Sequence, residues 1–503
     1  MVCTGHTVAF EGVEAREVEV QCAVTAGLPS FSVVGLPDKA VSEARERVRA
    51  AMSALSIALP SKRITINLSP ADLPKVGSHF DLPIAVTLLA ALDLIPKEEV
   101  ERTISLGELS LNGDLVGVIG ALPAAMTAGA SNRRLLCPKA SGAEAAWVGS
   151  AEVIAARSLA EVLRHFTGQA PIKPASPGEV AGETFARDMA EVKGQERAKR
   201  AVEIAAAGRH HVILVGAPGS GKSMIAARVP TILPPMGAAE ALETSMIHSL
   251  SGLLDEGGIS RTRPFREPHH TASIAAIVGG GRGAKPGEIS LAHNGVLFMD
   301  EFPEFPRSVL ETLRQPIETG SVVVSRANHH ARYPSRFLLI AAANPCRCGE
   351  VGEPGFVCKR GPKCAEDYIG KISAPLMDRI DLRVEVPPVS FADLDLPATG
   401  ESSATIAARV AAARDLQTER YSDIEGVNVN ADIEGAVLER VAQPSTEGKA
   451  LLLKAAEKFK LSARGYHRVL KLARTIADLD ASAGIERHHV AEALSYRLTT
   501  ATG

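Results

Sequence analysis

The run Val212 to Ser223 reads VILVGAPGSGKS, four apolar residues breaking into Gly216-Ala217-Pro218-Gly219-Ser220-Gly221-Lys222-Ser223. This is a complete G-x-x-x-x-G-K-[ST] pattern, and it constrains the fold before anything else does. Such a loop works only when a buried strand delivers it to the N-terminus of a helix. The glycines let the backbone curl so that successive N–H groups face phosphate oxygens. Lys222 adds positive charge near the β and γ phosphates, and Ser223 offers an oxygen to Mg²⁺. The expected ligands are therefore a nucleoside triphosphate, ATP, and Mg²⁺, held at the edge of a parallel α/β sheet.

Composition limits the alternatives. At 503 residues the chain exceeds one hydrophobic core, and 46% hydrophobic residues is ordinary globular material. The 55 Lys plus Arg against 58 Asp plus Glu leave a formal charge of −3, so no global positive field advertises nucleic acid, and any DNA contact is local. The most apolar stretch, Leu82 to Pro96, is shorter than the ~18–20 residues of a membrane span and is interrupted by Pro83 and Asp93. The first residues, MVCTGHTVAFEGVEAREVEV, carry acids and alternation where a signal peptide carries basic and then apolar residues. Seven cysteines, four of them crowded between 346 and 364, suit a reducing compartment. A cytoplasmic protein without membrane contact is expected.

Three blocks follow from the pattern along the chain. Residues 1–168 alternate short β-branched runs (Ile64 to Leu68, Val116 to Ile119) with alanine-rich helical runs, a mixed α/β pattern. Residues 169–183, with Pro171, Pro174 and Pro177, read as a linker. Residues 184–389 alternate apolar strands with helices as a parallel nucleotide-binding sheet does. A second linker, 390–403, leads to 404–503, which is helical in pattern, with Val427 to Val429 as its one strand-like run.

Gly295 to Glu301 (GVLFMDE) is an apolar strand ending in two acids. Asp300 is placed on the Mg²⁺ side of the phosphates and Glu301 where it orients and deprotonates the attacking water, so the pair predicts hydrolysis and not binding alone. A third strand, Phe337 to Ala343, ends at Asn344, whose amide either bonds the γ-phosphate or water, or caps the turn before Pro345. Further on come Leu376-Met377-Asp378-Arg379-Ile380-Asp381 and Leu461-Ser462-Ala463-Arg464-Gly465-Tyr466-His467-Arg468. In this order the motifs resemble the AAA+ ATPases, specifically the branch containing magnesium chelatase and the minichromosome maintenance helicases. The resemblance implies that Asn344 is the first sensor and that Arg379 is an arginine finger acting on a neighbouring subunit. It makes Arg464 the second sensor, with Arg468 one helical turn later as its rival for that role. A finger acting in trans implies a homo-oligomer.

The segment between Lys222 and Asp300 is long enough to hold an insertion. It contains Arg263 to Thr271 (RPFREPHHT), Gly279 to Gly283 (GGGRG) and Pro286 to Gly295 (PGEISLAHNG). With these the chain closely resembles, over nearly its whole length, the ComM competence-associated ATPases. That resemblance implies a hexameric motor that promotes branch migration by translocating on single-stranded or branched DNA. From the residues themselves, Ser321 to Tyr333 reads as two strands around a polar turn with Arg326 and Arg332 near its tip. Basic side chains there would grip phosphates irrespective of sequence; a solvated hairpin is the other reading. The 279–283 loop is either a second channel loop or a connector. Glu267, His269 and His270 read as packing or phosphate contacts and not as a metal site, because adjacent histidines point apart on a regular element.

Cys346, Cys348, Cys358 and Cys364 supply four soft ligands just after Asn344. Two readings stand: a structural Zn²⁺ site stapling the loop, or free cytosolic thiols, the C-x-C and C-x5-C spacings being unlike the usual C-x2-C knuckle. Cys3, Cys22 and Cys137 read as core residues. Residues 73–86 (LPKVGSHFDLPIAV) and 106–120 (LGELSLNGDLVGVIG) resemble the proteolytic domain of Lon-type proteases and its inactive counterpart in RadA-type recombination ATPases. His79 stands in the serine's place and no lysine follows Gly120, which argues against proteolysis and for a collar in ring assembly or DNA guidance, with Lys62, Arg63 and Lys75 as candidate contacts. The expected function is thus an ATP-driven DNA motor. The alternatives are a protein-remodelling or regulatory ATPase without a DNA role and a magnesium-chelatase-like motor subunit.

Overall fold

The apolar–polar alternation of the first residues folds as a long hairpin, β1 (Val2–Glu11) and β2 (Glu14–Thr25), with Val2 opposite Ala23 and Glu11 opposite Glu14. Val18, Val20 and Cys22 point inward, as a strand buried on one face requires. The computed structural model describes residues 2–178, 180, 186–254, 258–281, 284–326, 329–348, 362–389 and 400–497. Next come β3 (Ser30–Val34), α1 (Lys39–Ala54), β4 (Arg63–Ser69), α2 (Asp81–Ala91), β5 (Thr103–Ser105), α3 (Ala121–Ala130), β6 (Arg134–Pro138) and β7 (Val153–Ala156). They form a mixed sheet in the order β3-β4-β2-β1-β5-β6-β7. Asp38 starts α1 by accepting the Val41 N–H at 2.8 Å. The apolar run at Leu82 becomes α2, buried from Asp81 to Ala90; Pro83 is harmless because it falls in the first turn, where its N–H has no helical partner.

Burial decides the roles of two residues singled out in this part. Lys75 is fully buried and its ammonium donates to the Pro70 carbonyl, so it offers nothing to DNA. His79 is a core histidine: it shares a 2.9 Å hydrogen bond with the Val8 carbonyl, and burial pushes its pKa down to about 4. Cys3, Cys22 and Cys137 are buried as expected, the last two with pKa values raised to about 12 by burial.

The second sheet is built from α4 (Glu196–Gly208), β8 (Val212–Val215), α5 (Lys222–Ala226), α6 (Ala238–Leu250), β9 (Phe265–Arg266), β10 (Val296–Met299), the hairpin β11 (Ser321–Arg326) and β12 (His329–Pro334), β13 (Leu338–Ala343), α7 (Pro362–Ile369), α8 (Ala374–Asp378) and β14 (Leu382–Glu385). Its five strands, in the order β9-β10-β13-β8-β14, are all parallel. Uninterrupted apolar strands are what a parallel sheet covered on both faces demands. Val212, Leu214, Phe298 and Ile340 enter one core, while Ile213, Leu297, Met299 and Leu339 enter the other.

The C-terminal block is helical: α9 (Ser403–Tyr421), α10 (Thr446–Phe459), α11 (Ala463–Leu479) and α12 (Arg487–Arg497). Val427 to Val429 is not a strand. These helices share the core of the sheet's α4 face: Ile406, Val410, Val469, Ile476 and Val490 join Val202, Ala205 and Leu214 in one cluster. No described helix is long and apolar enough to cross a membrane.

The β11–β12 hairpin forms, with one correction. Arg332 pairs with Val323 and donates to Ser321 Oγ at 3.1 and 3.2 Å, which puts it at the base of the hairpin and not at its tip. The base is anchored, since Val322, Val324, Ala331 and Tyr333 pack with Phe10 and Val13 of the first hairpin. A Cβ at Gly12 would come within 2.6 Å of the Arg332 carbonyl oxygen. The side chain of Arg326, Arg282 and Gly283 of the glycine-rich loop, Cys358, and the linker stretches 181–185 and 390–399 lie outside the described residues.

Candidate active site

The parallel register brings three strand ends together. Val215 is level with Ala343, and Met299 with Ala341, so β8, β13 and β10 release the phosphate-binding loop, Asn344 and the acidic pair along one edge. Ligands of open α/β sheets bind beyond the carboxyl ends of the strands for this reason. The Gly216 N–H donates to the Ala343 carbonyl at 3.1 Å, tying the loop to the strand that carries Asn344.

Within the loop, Gly216 has no room for a side chain, since a Cβ would meet the Val386 carbonyl oxygen at 2.2 Å. Gly221 starts α5 with φ of 94°, a left-handed conformation natural to glycine. Lys222 is buried and donates to the carbonyls of Gly216 (2.7 Å) and Ala217 (2.8 Å) and to Asn344 Oδ1 (3.3 Å). Burial lowers its pKa, and the Asp300 charge pushes the other way. Ser220 Oγ is buried with no hydrogen-bond partner among the described residues. Ser223 Oγ donates to Asp300 Oδ2 at 2.8 Å, so a hydroxyl and a carboxylate oxygen lie side by side. These are the hard oxygen donors that suit Mg²⁺.

Glu301 stands at the turn after β10 with φ of 50°, its N–H donating to Asp300 Oδ1 at 2.8 Å. Its carboxylate lies 3.3 Å from His270 Nδ1, and His270 stacks on His269 with ring centroids 4.2 Å apart. Glu267 is close enough that burial and the Asp300 charge raise its pKa. The insertion segment 267–270 therefore flanks the acidic pair. Sequence reasoning treated these histidines as packing or phosphate contacts and missed the link to Glu301, for which no local signal exists.

The arginines are elsewhere. Arg379, just after α8, pairs with Glu318, a residue that sequence reasoning did not single out. Arg464 of α11 lies 3.9 Å from the same carboxylate and is 70% exposed. Burial works against the charged form of Glu318, but the Arg379 hydrogen bond and the charges of Arg379, Arg464 and Arg468 outweigh it and hold its pKa below the usual value. Arg468 is committed differently, donating to Asp381 Oδ1 at 2.6 Å and to the Arg379 carbonyl at 2.8 Å. Burial alone would raise the Asp381 pKa; Arg468, His210 and His211 hold it well below the usual range. Glu318, Arg464 and Arg468 face a cavity of about 660 Å³ shared with Arg209, Arg336 and His467. No residue of the phosphate-binding loop lines it.

The thiols gather as the sequence suggested, as far as they are described. The sulfurs of Cys346, Cys348 and Cys364 all lie within 4.8 Å of one another, just beyond Asn344 and at the start of α7.

Comparison with known proteins agrees with this geometry. Residues 188–394 match the family described as magnesium chelatase, subunit ChlI; residues 400–497 match its C-terminal family, and residues 18–141 match the family described as subunit ChlI of Mg-chelatase. The chain is 42% identical to the competence protein ComM of Haemophilus influenzae, covering 97% of this chain and 96% of that one. It is 41% identical to YifB of Escherichia coli, covering 98% and 96%. The magnesium-chelatase 38 kDa subunit of Rhodobacter capsulatus is 26% identical over 36% of this chain and 55% of its own. A whole-length match of this strength, on a parallel sheet that delivers a phosphate-binding loop beside an acidic pair, means that the chain belongs to the ComM family of magnesium-chelatase-like AAA+ ATPases.

Proposed function

We propose that the protein is an ATP-driven motor that works as a ring of identical subunits, a hexamer, with each catalytic centre shared between neighbours, and that its track is single-stranded or branched DNA. The observation that carries the shared centre is the separation of the two sets of groups. Lys222, Ser223, Asp300, Glu301 and Asn344 lie at one edge of the sheet, while Arg379 and Arg464 converge on Glu318, which together with Arg464 lines a cavity that contains no residue of the loop. A guanidinium is needed where charge develops on the transferred phosphoryl group, and here it comes from the next copy.

In this reading the backbone N–H groups from Gly216 through Gly221, with Lys222, hold the β and γ phosphates. Ser223 and Asp300 hold Mg²⁺, which when bound neutralises phosphate charge. Glu301, steadied by His270, orients the attacking water and takes its proton. Asn344 touches the γ-phosphate or that water without adding charge. Of the two rival arginines, Arg464 is the second sensor, because Arg468 is already committed to Asp381.

The DNA track is supported by the whole-length likeness to a competence protein and by the β11–β12 hairpin emerging just ahead of β13. ATP hydrolysis measured without DNA, with single strands, with duplex and with a four-way junction, using Glu301→Gln as the inactive control, tests it. Stimulation greatest on the junction and lost in the control is expected. Hydrolysis that ignores every DNA sinks the DNA reading and points to a protein substrate.

A further inference from the structure

The stretch between Asn344 and α7 poses a folding problem. Its sequence, NPCRCGEVGEPGFVCKRG, has four glycines, two prolines and few large apolar residues, so it has little with which to build a core. Among the described residues there, the packed apolar group consists of Cys346, Cys364 and Ala365. Cys346 is fully buried, and Cys364 is buried at the start of α7. Two parts of the chain separated in sequence thus meet through sulfur.

We propose that Cys346, Cys348 and Cys364 are ligands of a structural Zn²⁺ ion that fixes the segment following the strand-terminal Asn344. None of the three forms a disulfide. The Cys348 and Cys364 sulfurs are 3.9 Å apart, close to the ~3.8 Å edge of a tetrahedron with Zn–S bonds of about 2.3 Å. Cys346 and Cys348 are 2.9 Å apart, tighter than that edge, and a bound cation would both spread the two sulfurs and neutralise their thiolates. Soft thiolate donors select zinc over Mg²⁺, which the oxygen donors at Ser223 and Asp300 suit. The fourth thiol of the sequence cluster, Cys358, lies outside the described residues.

The position gives the ion a consequence. Cys346 is two residues from Asn344, whose Oδ1 accepts from Lys222 at 3.3 Å. The metal therefore anchors the backbone that aims Asn344 at the phosphate-binding lysine. It is a positioning element and takes no part in the chemistry.

The test is metal analysis of the full chain, purified under reducing conditions without chelator, for zinc and iron, beside a Cys346→Ser/Cys364→Ser double variant. One zinc per chain, falling at least about tenfold in the variant, is expected. A full chain that hydrolyses ATP yet stays zinc-free after dialysis against Zn²⁺ overturns the proposal. So does iron in place of zinc, or zinc retained by a folded double variant. Should the variant not fold, Co²⁺ exchanged into the unmodified protein decides. A thiolate-to-cobalt band with the intensity of three or four sulfurs supports the site, and a spectrum without that band overturns it.

Discussion

Two clusters of arginines around one carboxylate stand in contrast. In the helical block, Asp478 is completely buried, and Arg420, Arg474 and Asn430 all bond to it, Arg420 at 2.6 Å and Asn430 at 2.8 Å. Beside the cavity, Glu318 is 41% exposed and holds Arg379 and Arg464, the latter mostly in solvent. The chemistry is the same, yet burial separates the roles. A closed cluster cannot give up an arginine without leaving a charge in the core, whereas in the second the carboxylate and Arg464 face solvent, so a competing anion can displace the carboxylate even though Arg379 itself is buried. The contrast fits a structural role for the first cluster and, in the proposed motor, a transferable charge for the second.

The largest effect should come from the open cluster. Arg379→Ala is expected to lower ATP hydrolysis about 10³-fold or more while leaving nucleotide binding nearly unchanged. Mixing it with Lys222→Ala, itself inactive, should restore part of the activity, because an intact loop then faces an intact finger across a subunit boundary. Mixtures that stay inactive would mean that the finger acts within its own chain. In the closed cluster, Asp478→Ala should cost about 3–5 kcal/mol of stability, read by thermal or urea unfolding, because two guanidinium groups lose their shared partner. If Asp478→Ala unfolds like the parent and Arg379→Ala does not, the assignment is reversed.

What could be read in advance follows the same division. The loop from Gly216 to Ser223, the pair Asp300–Glu301 and Asn344 were legible because each ends an apolar strand, so a local pattern determines its place, and the parallel register does the rest. The open cluster was only half legible. Arg379 and Arg464 come from motif order, but Glu318 joins them through tertiary folding alone. His270 reaches Glu301 across an insertion whose path no periodicity reveals. Lys75 and Arg332 show the reverse error: Lys75 is buried and donates to a backbone carbonyl, while Arg332, though exposed, bonds Ser321 toward the hairpin base and not at its tip. Charge in a sequence does not report whether a backbone partner waits for it.

Between the extremes lies Arg468, which touches both the cavity and a buried acid. The Asp381 pKa is lower in the folded protein than in the unfolded chain, so its ionisation stabilises the fold above the ordinary carboxylate value of about 3.9. That contribution is lost as pH falls through the lower folded value. Arg468→Gln removes the largest favourable charge and should raise the pH of acid unfolding, followed by circular dichroism. An unchanged midpoint would show that His210 and His211 suffice and would leave Arg468 free to act as the second sensor.

The smallest effect is the sharpest probe of the open cluster. In the proposed motor Glu318 competes with phosphate for Arg379, whose side chain is only 8% exposed, and for Arg464, whose solvent-facing contact with it is worth only about 0.2–1 kcal/mol. Glu318→Gln should therefore raise hydrolysis at subsaturating ATP by no more than about fivefold, through a lower KM with kcat little changed. A collapse of kcat toward that of Arg379→Ala would mean that the carboxylate aims the finger and does not restrain it. The two outcomes differ in sign, so even a small effect decides whether Glu318 releases its arginines to the neighbour's phosphates or holds them in place while they act.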